Sequence, residues 1–373
     1  MTSQLSHISF DTLWKMRIVH PYSLLVRDGD LAWSCGQCPL DESGTVVAPD
    51  DVLAQTELVS AYIAKILSMA DMTAASIGKL VVYHAEPDDA KVEAMVGILS
   101  RHLGTGALLM PIRIPHFYYD GMMIEVDVHA SAIRKPTIRV EDPAHSLTLE
   151  VTDGGALKWA RLTVREIPAG TGAPEVSNAL RRLISAAGLD GRNLLTEQWF
   201  VSPGHASLAA AAAAAGLCGD TGCTVESPLS AGASAVGELT FASSSAPVAT
   251  TRFPYTGMND VILTMRANDD FFAISARSQR GDRDLVEQTR CIMAAIERAL
   301  SQNGLTFDHV RKSTTHYVAG SSEEELHENM AVRNHHYSRP GPASTGLPIA
   351  AFPLADCSIV VSIIGHRRIS AAL

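Results

Sequence analysis

Positive charge is scarce in this chain. Its 30 Lys and Arg stand against 40 Asp and Glu, a formal charge of −10, so it lacks a basic footprint for phosphate backbones, and nucleic acid is not an expected partner. Cysteine is sparse as well. Cys35, Cys38, Cys218, Cys223, Cys291 and Cys357 are six thiols in 373 residues, too few for a disulfide framework in a chain long enough to bury a core without one. The opening Met1-Thr2-Ser3-Gln4 has neither a positive n-region nor an apolar h-region, and we read a reducing, cytoplasmic setting. Long hydrophobic runs are missing too. The longest apolar stretch, around Leu208 to Leu217, is mostly alanine and is shorter than the roughly 20 residues that cross a bilayer, so no membrane partner is expected.

The chain also lacks Gly-x-Gly-x-x-Gly, Gly-x-x-x-x-Gly-Lys-Ser/Thr, Gly-x-Ser-x-Gly and His-Glu-x-x-His, which removes the usual warrants for nucleotide cofactors, lipase-type hydrolysis and zincin chemistry. Cys35 and Cys38 have Cys-x-x-Cys spacing, but no second pair stands nearby, and a closed zinc site needs four ligands. His335 and His336 are adjacent on an expected helix and point about 100° apart. No metal and no cofactor are expected.

What the sequence does contain is a repeat. Gln55-Thr56, Ala61, Ile63, Leu67-Ser68, Thr73 and Lys79 recur as Gln288-Thr289, Ala294, Ile296, Leu300-Ser301, Thr306 and Lys312, each pair 233 positions apart, and Pro21-Tyr22 with Pro254-Tyr255 keeps that offset. Half of 233 predicts a middle helix end near position 188, where Ala186-Ala187-Gly188-Leu189 stands. Gly188 and Gly304 read as helix C-caps. Leu180, Leu183 and Ile184 give the middle copy its helical apolar spacing, and the alanines from Ala209 to Ala215 stand where the first copy has its second helix.

Each unit reads as β-β-α-β-α-β-β. In the first, Ser23–Val26 and Leu31–Ser34 flank an Asp28-Gly29 turn. A helix over 51–69, a strand over 79–84, a helix over 88–103 and strands over 107–114 and 122–130 follow. In the third, strands are expected over 261–266 and 271–277, a helix over 284–303, a strand over 311–318, a helix over 323–336 and strands over 345–351 and 358–366. Strand runs whose helices return to one sheet make this an α+β fold. The expected units are 1–135, 143–245 and 250–373, joined by Pro- and Ser-rich seams over 134–142 and 242–251.

Tyr22, Ser34-Cys35-Gly36-Gln37, Gln55-Thr56 and Ile124-Glu125-Val126-Asp127-Val128-His129-Ala130 in the first unit, with Ile274-Ser275-Ala276-Arg277, Glu328-Asn329-Met330 and Pro342-Ala343-Ser344-Thr345 in the third, resemble the RidA/YjgF family. The resemblance implies tandem chorismate-mutase-like units, each a mixed sheet with two helices on one face, arranged as a pseudo-trimer with clefts between units. It implies a cofactor-independent hydrolase acting on a small carboxylate-bearing enamine or imine, with the chain a monomer or small homo-oligomer. Chorismatases and cyanuric acid hydrolases resemble this plan too, so a chorismatase-like conversion of a cyclic acid is the alternative. A binding protein that has lost the chemistry is a third reading.

Carried over residue by residue, the family's polarising glutamate falls on Glu125 in unit one and on Val360 in unit three. The strand-end hydroxyl falls on Cys35 and Ser275, and the cleft phenol on Tyr22 and Tyr255. The family's carboxylate-binding arginine falls on Ser344 and near Gly106, neither of which can pair with a carboxylate. Arg113, Arg339 and Arg252 are therefore the candidate replacements. Asn329 matches a family asparagine near the ligand, and His336 is a candidate cleft residue or general base. Alternation along 122–126 sends Glu125 and Asp127 to one face of their strand.

Overall fold

Asp-Gly turns and aspartate caps set the local structure of the computed structural model, which describes residues 5–104, 106–165, 173–205, 208, 212, 215, 217, 223–229, 232–243, 246–254, 261–279, 281, 283–318, 323–354 and 356–368. The first set of elements is β1 (Leu5–Ser9), β2 (Ser23–Asp28), β3 (Leu31–Ser34), α1 (Val52–Met69), β4 (Ile77–His84), α2 (Asp89–Leu103), β5 (Leu108–Arg113) and β6 (Ile124–Ser131). Gly29, at φ 62°, turns β2 into β3 so that Asp28 pairs with Leu31. This is the left-handed conformation glycine adopts without cost.

The second set is β7 (Ile138–Asp142), β8 (Leu147–Asp153), β9 (Leu157–Val164), α3 (Ala173–Ala186), β10 (Leu194–Val201), β11 (Cys223–Glu226) and β12 (Ala235–Ala242). The third is β13 (Ala249–Pro254), β14 (Val261–Ala267), β15 (Phe271–Ser278), α4 (Leu285–Gln302), β16 (Val310–Val318), α5 (Glu323–Asn334), β17 (Ala343–Ile349) and β18 (Ile359–His366). The fold is α+β, with mixed sheets and few helices.

The strands run in the order β1-β2-β3-β6-β4-β5, then β7-β8-β9-β12-β10-β11, then β13-β14-β15-β18-β16-β17. In each set the last neighbours pair parallel, β4 with β5, β10 with β11 and β16 with β17. The offset of 233 carries α1 onto α4 residue for residue. It also carries the N-cap Asp51, whose carboxylate accepts from the Leu53 and Ala54 amides, onto Asp284, which accepts from Glu287. The helices α1, α3 and α4 are each followed by a left-handed residue, Asp71, Gly188 and Gly304. Tyr83, Phe200 and His316, equivalent by the same offsets, form a triangle with ring centroids 6.5, 6.4 and 6.1 Å apart.

The hairpins depart from that offset. Leu25 faces Ser34 and Met265 faces Ile274, a displacement of 240, because the connection from hairpin to helix is seven residues shorter in the third set (240 minus 233). By this register the counterpart of Tyr22 is Ile262. Tyr255 itself lies outside the described residues, as does most of the 209–215 stretch expected to be a helix. Two further differences concern the expected seams: β7 occupies 138–142, and β13 begins at 249. Both are edge strands, and their Pro- and Ser-bearing flanks read as linker.

The first and third sheets are continuous through β17 and β2, where Ala343 pairs with Ser23 and the Ser23 amide donates to the Pro342 carbonyl (3.1 Å). A bridge from Glu226 to Ala351 ties the second sheet to the third. Among the described residues, α1 is the helix long and apolar enough to span a bilayer. Its Val59, Ile63, Ile66 and Leu67 are fully buried in the core.

Candidate functional site

Glu125 stands on β6, whose alternation puts Ile124, Val126 and Val128 into the core and Glu125, Asp127 and His129 on the opposite face. The Gln-Thr pair that opens α1 fixes the approach to this strand. Gln55 Nε2 donates to the carbonyls of Ala48 (2.9 Å) and Gly121 (2.7 Å), and its Oε1 accepts from the Met123 amide (2.7 Å). Gln37 closes the other side, exchanging backbone hydrogen bonds with Val126 (2.9 and 3.1 Å). Between them Gly36 lies flat against the carboxyl. A Cβ there would stand 1.6 Å from Glu125 Oε1.

The carboxyl faces a cavity of about 70 Å³ between the first and third sets of elements. Its walls are largely aromatic, with Trp14, Tyr22, Phe117 and Tyr119 from the first set and Tyr317 from the third. Burial is the main force on Glu125 and, with Asp127 nearby, pushes its pKa up to about 8 against the pull of Lys312 and a hydrogen bond with Cys38. Arg333 of α5 enters the same cavity, buried at 3% exposure. Its Nε donates to Asn329 Oδ1 (3.1 Å) and its Nη1 to Thr315 Oγ1 (3.1 Å). Its Nη2 lies toward Gly346, where a Cβ would be 3.5 Å away. Among the described residues no carboxylate pairs with this guanidinium. The arrangement offers a buried cation to an anionic ligand and, opposite it, a carboxyl able to give or take a proton near neutral pH.

Residues 14–131 match the family model described as Endoribonuclease L-PSP. Over that first third, the chain is similar to the L-PSP family. Solved structures similar to this chain include a putative endoribonuclease L-PSP from Entamoeba histolytica (19% identity, 34% of this chain and 99% of that chain, TM-score 0.30). They also include a YjgF/YER057c/UK114 family member from Mycobacterium tuberculosis (19% identity, 35% and 100%, TM-score 0.28). A chorismatase structure aligns over 78% of this chain and 93% of its own at 11% identity and a TM-score of 0.50, a likeness of fold. A comparison with curated proteins finds no match.

Of the residues expected from sequence, Glu125 and Tyr22 of the first set meet in the cavity, with the Tyr22 phenol hydrogen-bonded to Ser344 of β17. Asn329 does not line the cavity. It is fully buried beneath Arg333, orienting it while its own Nδ2 donates to Thr289. Among the described residues, the structure places the other expected ones away from this cavity. Cys35 is enclosed in the core, its thiol donating to the Gly36 carbonyl (3.4 Å) and accepting from Gln37 Nε2 (3.2 Å). Burial pushes that thiol well above the ordinary range, so it is no nucleophile, and Cys38 lines the cavity instead. Ser275 faces a second cavity at the junction of all three sheets.

Arg113 ends β5 opposite His84, and its carbonyl accepts from Ser227 of the second set (2.6 Å), which places it at a different seam. Arg339 is exposed on the turn formed with Pro340. Arg252 is exposed on edge strand β13. His336 packs its ring on Phe307 (5.3 Å) and faces Glu297 of α4 (3.9 Å), away from the cavity. The arginine that sequence reasoning missed is Arg333. Its signal was the spacing Asn329-x-x-x-Arg333, one helical turn, which stacks the guanidinium on the amide already singled out.

Proposed function

We propose that the chain is three L-PSP-like units folded as a pseudo-trimer and acts as a cofactor-independent hydrolase on a small carboxylate-bearing enamine or imine in the cleft between units one and three. The observation that carries this reading is the buried Arg333, with no acidic partner among the described residues, in the same cavity as the buried Glu125. A ligand carboxylate would satisfy that guanidinium. Protonated Glu125 would give its proton to the imine nitrogen as water adds to the carbon. The new C–O bond forms as the C=N π pair moves to nitrogen and Glu125 takes a proton from the added water; Glu125 then protonates the carbinolamine nitrogen, ammonia leaves with the C–N pair as the C=O forms, and the hydroxyl proton returns to Glu125.

The other two seams support the choice of cleft. At the strand register of Glu125, which faces Tyr83, the second unit has Val236 facing Phe200 and the third has Val360 facing His316. Neither valine can move a proton. The test is ammonia release from an α-imino acid generated in place by an amino acid oxidase. Glu125→Gln should lose about 10²-fold or more in kcat. Arg333→Lys, which keeps the charge but not the bidentate fork, should act mainly on KM. Turnover that survives Glu125→Gln unchanged sinks the proposal. A chorismatase-like conversion of a cyclic acid is the second reading, favoured by the aromatic walls around Glu125 and by the fold likeness over 78% of the chain. It is tested by offering a cyclohexadiene carboxylic acid to the same variants.

A further inference from the structure

Lys312 belongs to the third unit, yet its side chain reaches behind the Glu125 cleft. Its Nζ donates to Asp127 Oδ2 (2.8 Å), to the Ser34 carbonyl (2.9 Å) and to Thr345 Oγ1 (2.5 Å). The Thr345 hydroxyl donates in turn to Asp127 Oδ1 (2.5 Å) and accepts from the Gly36 amide (2.8 Å). Gly36 is the residue on which the Glu125 carboxyl rests. The ammonium therefore reaches the cleft by two routes. One is electrostatic, through the neutralised Asp127 two residues from Glu125. The other is mechanical, through the hydroxyl that pins Gly36.

The three seams differ in this respect. Lys79 pairs with Glu238 across units one and two, as Lys312 pairs with Asp127 across units three and one. The same register puts Thr196 and Ser362 at the remaining seam, two hydroxyls that line the same central cavity. An ion pair backed by a threonine bridge to the cleft floor is found, among the described residues, behind Glu125 alone.

We propose that Lys312 is a positioning residue of the cleft, acting on Glu125 through Asp127 and Thr345. The inference rests on the reading of Glu125 as the proton-transferring group. The groups that face Glu125 are Cys35 and Cys38 from the segment after β3, Asp127 on its own strand, Tyr119 from the loop before β6, and Lys312 and Tyr317 from β16. Arg333 of α5 lines the same cavity. Of these, Lys312 supplies the cation that pairs with the neighbouring carboxylate. Without it the two carboxyls would share one buried site and hold their first proton to higher pH.

The test reads Glu125 without any substrate. Infrared difference spectra of the full chain are recorded between roughly pH 5 and pH 10, following the carbonyl stretch of the protonated carboxyl, assigned by its loss in Glu125→Gln. The wild-type midpoint is expected near 8. Lys312→Met should raise it by about one unit or more, Asp127→Asn should lower it, and Lys312→Arg should leave it within a few tenths of a unit. A midpoint unmoved or lowered in a folded Lys312→Met overturns the proposal. Should that variant fail to fold, Thr345→Val and Thr345→Ser decide, since neither changes charge and both are close in size. The valine should raise the midpoint and the serine restore it, and an unmoved midpoint in the valine variant is equally fatal. Lack of turnover on any imine sinks the hydrolase reading and leaves this titration standing. An unmoved midpoint with turnover intact sinks only the role of Lys312.

Discussion

Glu125 binds its proton more tightly folded than unfolded, because burial and Asp127 raise its pKa from 4.5 to about 8. The sign of the pH dependence follows. The folded state holds the extra proton between those two values, so the contribution to stability is fully present below pH 4.5 and is lost as pH rises through 8. Glu125→Gln removes the titration. In thermal melts its advantage over wild type should be small at pH 5 and reach the order of a few kcal/mol at pH 9; an advantage constant with pH contradicts this. Gly36 offers a second test at this scale. With a Cβ position 1.6 Å from Glu125 Oε1, Gly36→Ala must displace the carboxyl. We expect turnover to fall as far as in Glu125→Gln, with a circular dichroism spectrum like that of wild type.

The helices α1 and α4 were the most legible elements, because each is announced by local chemistry: an aspartate cap, an apolar stripe and a left-handed residue at the end. The edge strands β1, β7 and β13 were not. Ile138 of β7 is 47% exposed, and a strand with one solvated edge next to proline offers neither alternation nor an apolar run. Arg333 was illegible for a related reason. It sits on α5, a helix poor in apolar residues whose buried face holds Asn329 and Arg333, so polarity there reads as solvent exposure. Glu125 was legible because its neighbours Ile124 and Val126 fix its face. The Gln-Thr pairs show how one motif takes two roles. Gln55 clamps the loop leading to Glu125, whereas Gln288 makes the equivalent bond, accepting from the Ser358 amide (3.0 Å), ahead of a strand that carries Val360. Replacing either with alanine should cost about 1–3 kcal/mol in urea unfolding. Only Gln55→Ala should also lower kcat, and an equal loss in Gln288→Ala would place the clamp outside the site's support.

At the scale of the whole molecule, two ion pairs are buried at the seams of the second set. Arg266 pairs with Glu197, and Lys79 with Glu238, across seams of the second unit. Removing one partner leaves the other buried and uncompensated. Arg266→Met should therefore destabilise the chain by about 3–5 kcal/mol, and Arg266→Met combined with Glu197→Gln by much less. Urea titrations of the two variants check this, and equal losses would mean that the pair contributes nothing as a pair.

The junction of β17 with β2 sets the cleft apart in time as well as in space. Glu125, Tyr22 and Gly36 leave the ribosome within the first 125 residues of the chain, whereas Tyr317, Arg333 and Ser344 follow about 190 residues or more after Glu125. Since N-terminal domains fold first during synthesis, the first unit carries its acid exposed until the third arrives to roof it. A chain truncated before β16 therefore holds only the Glu125 half of the cavity.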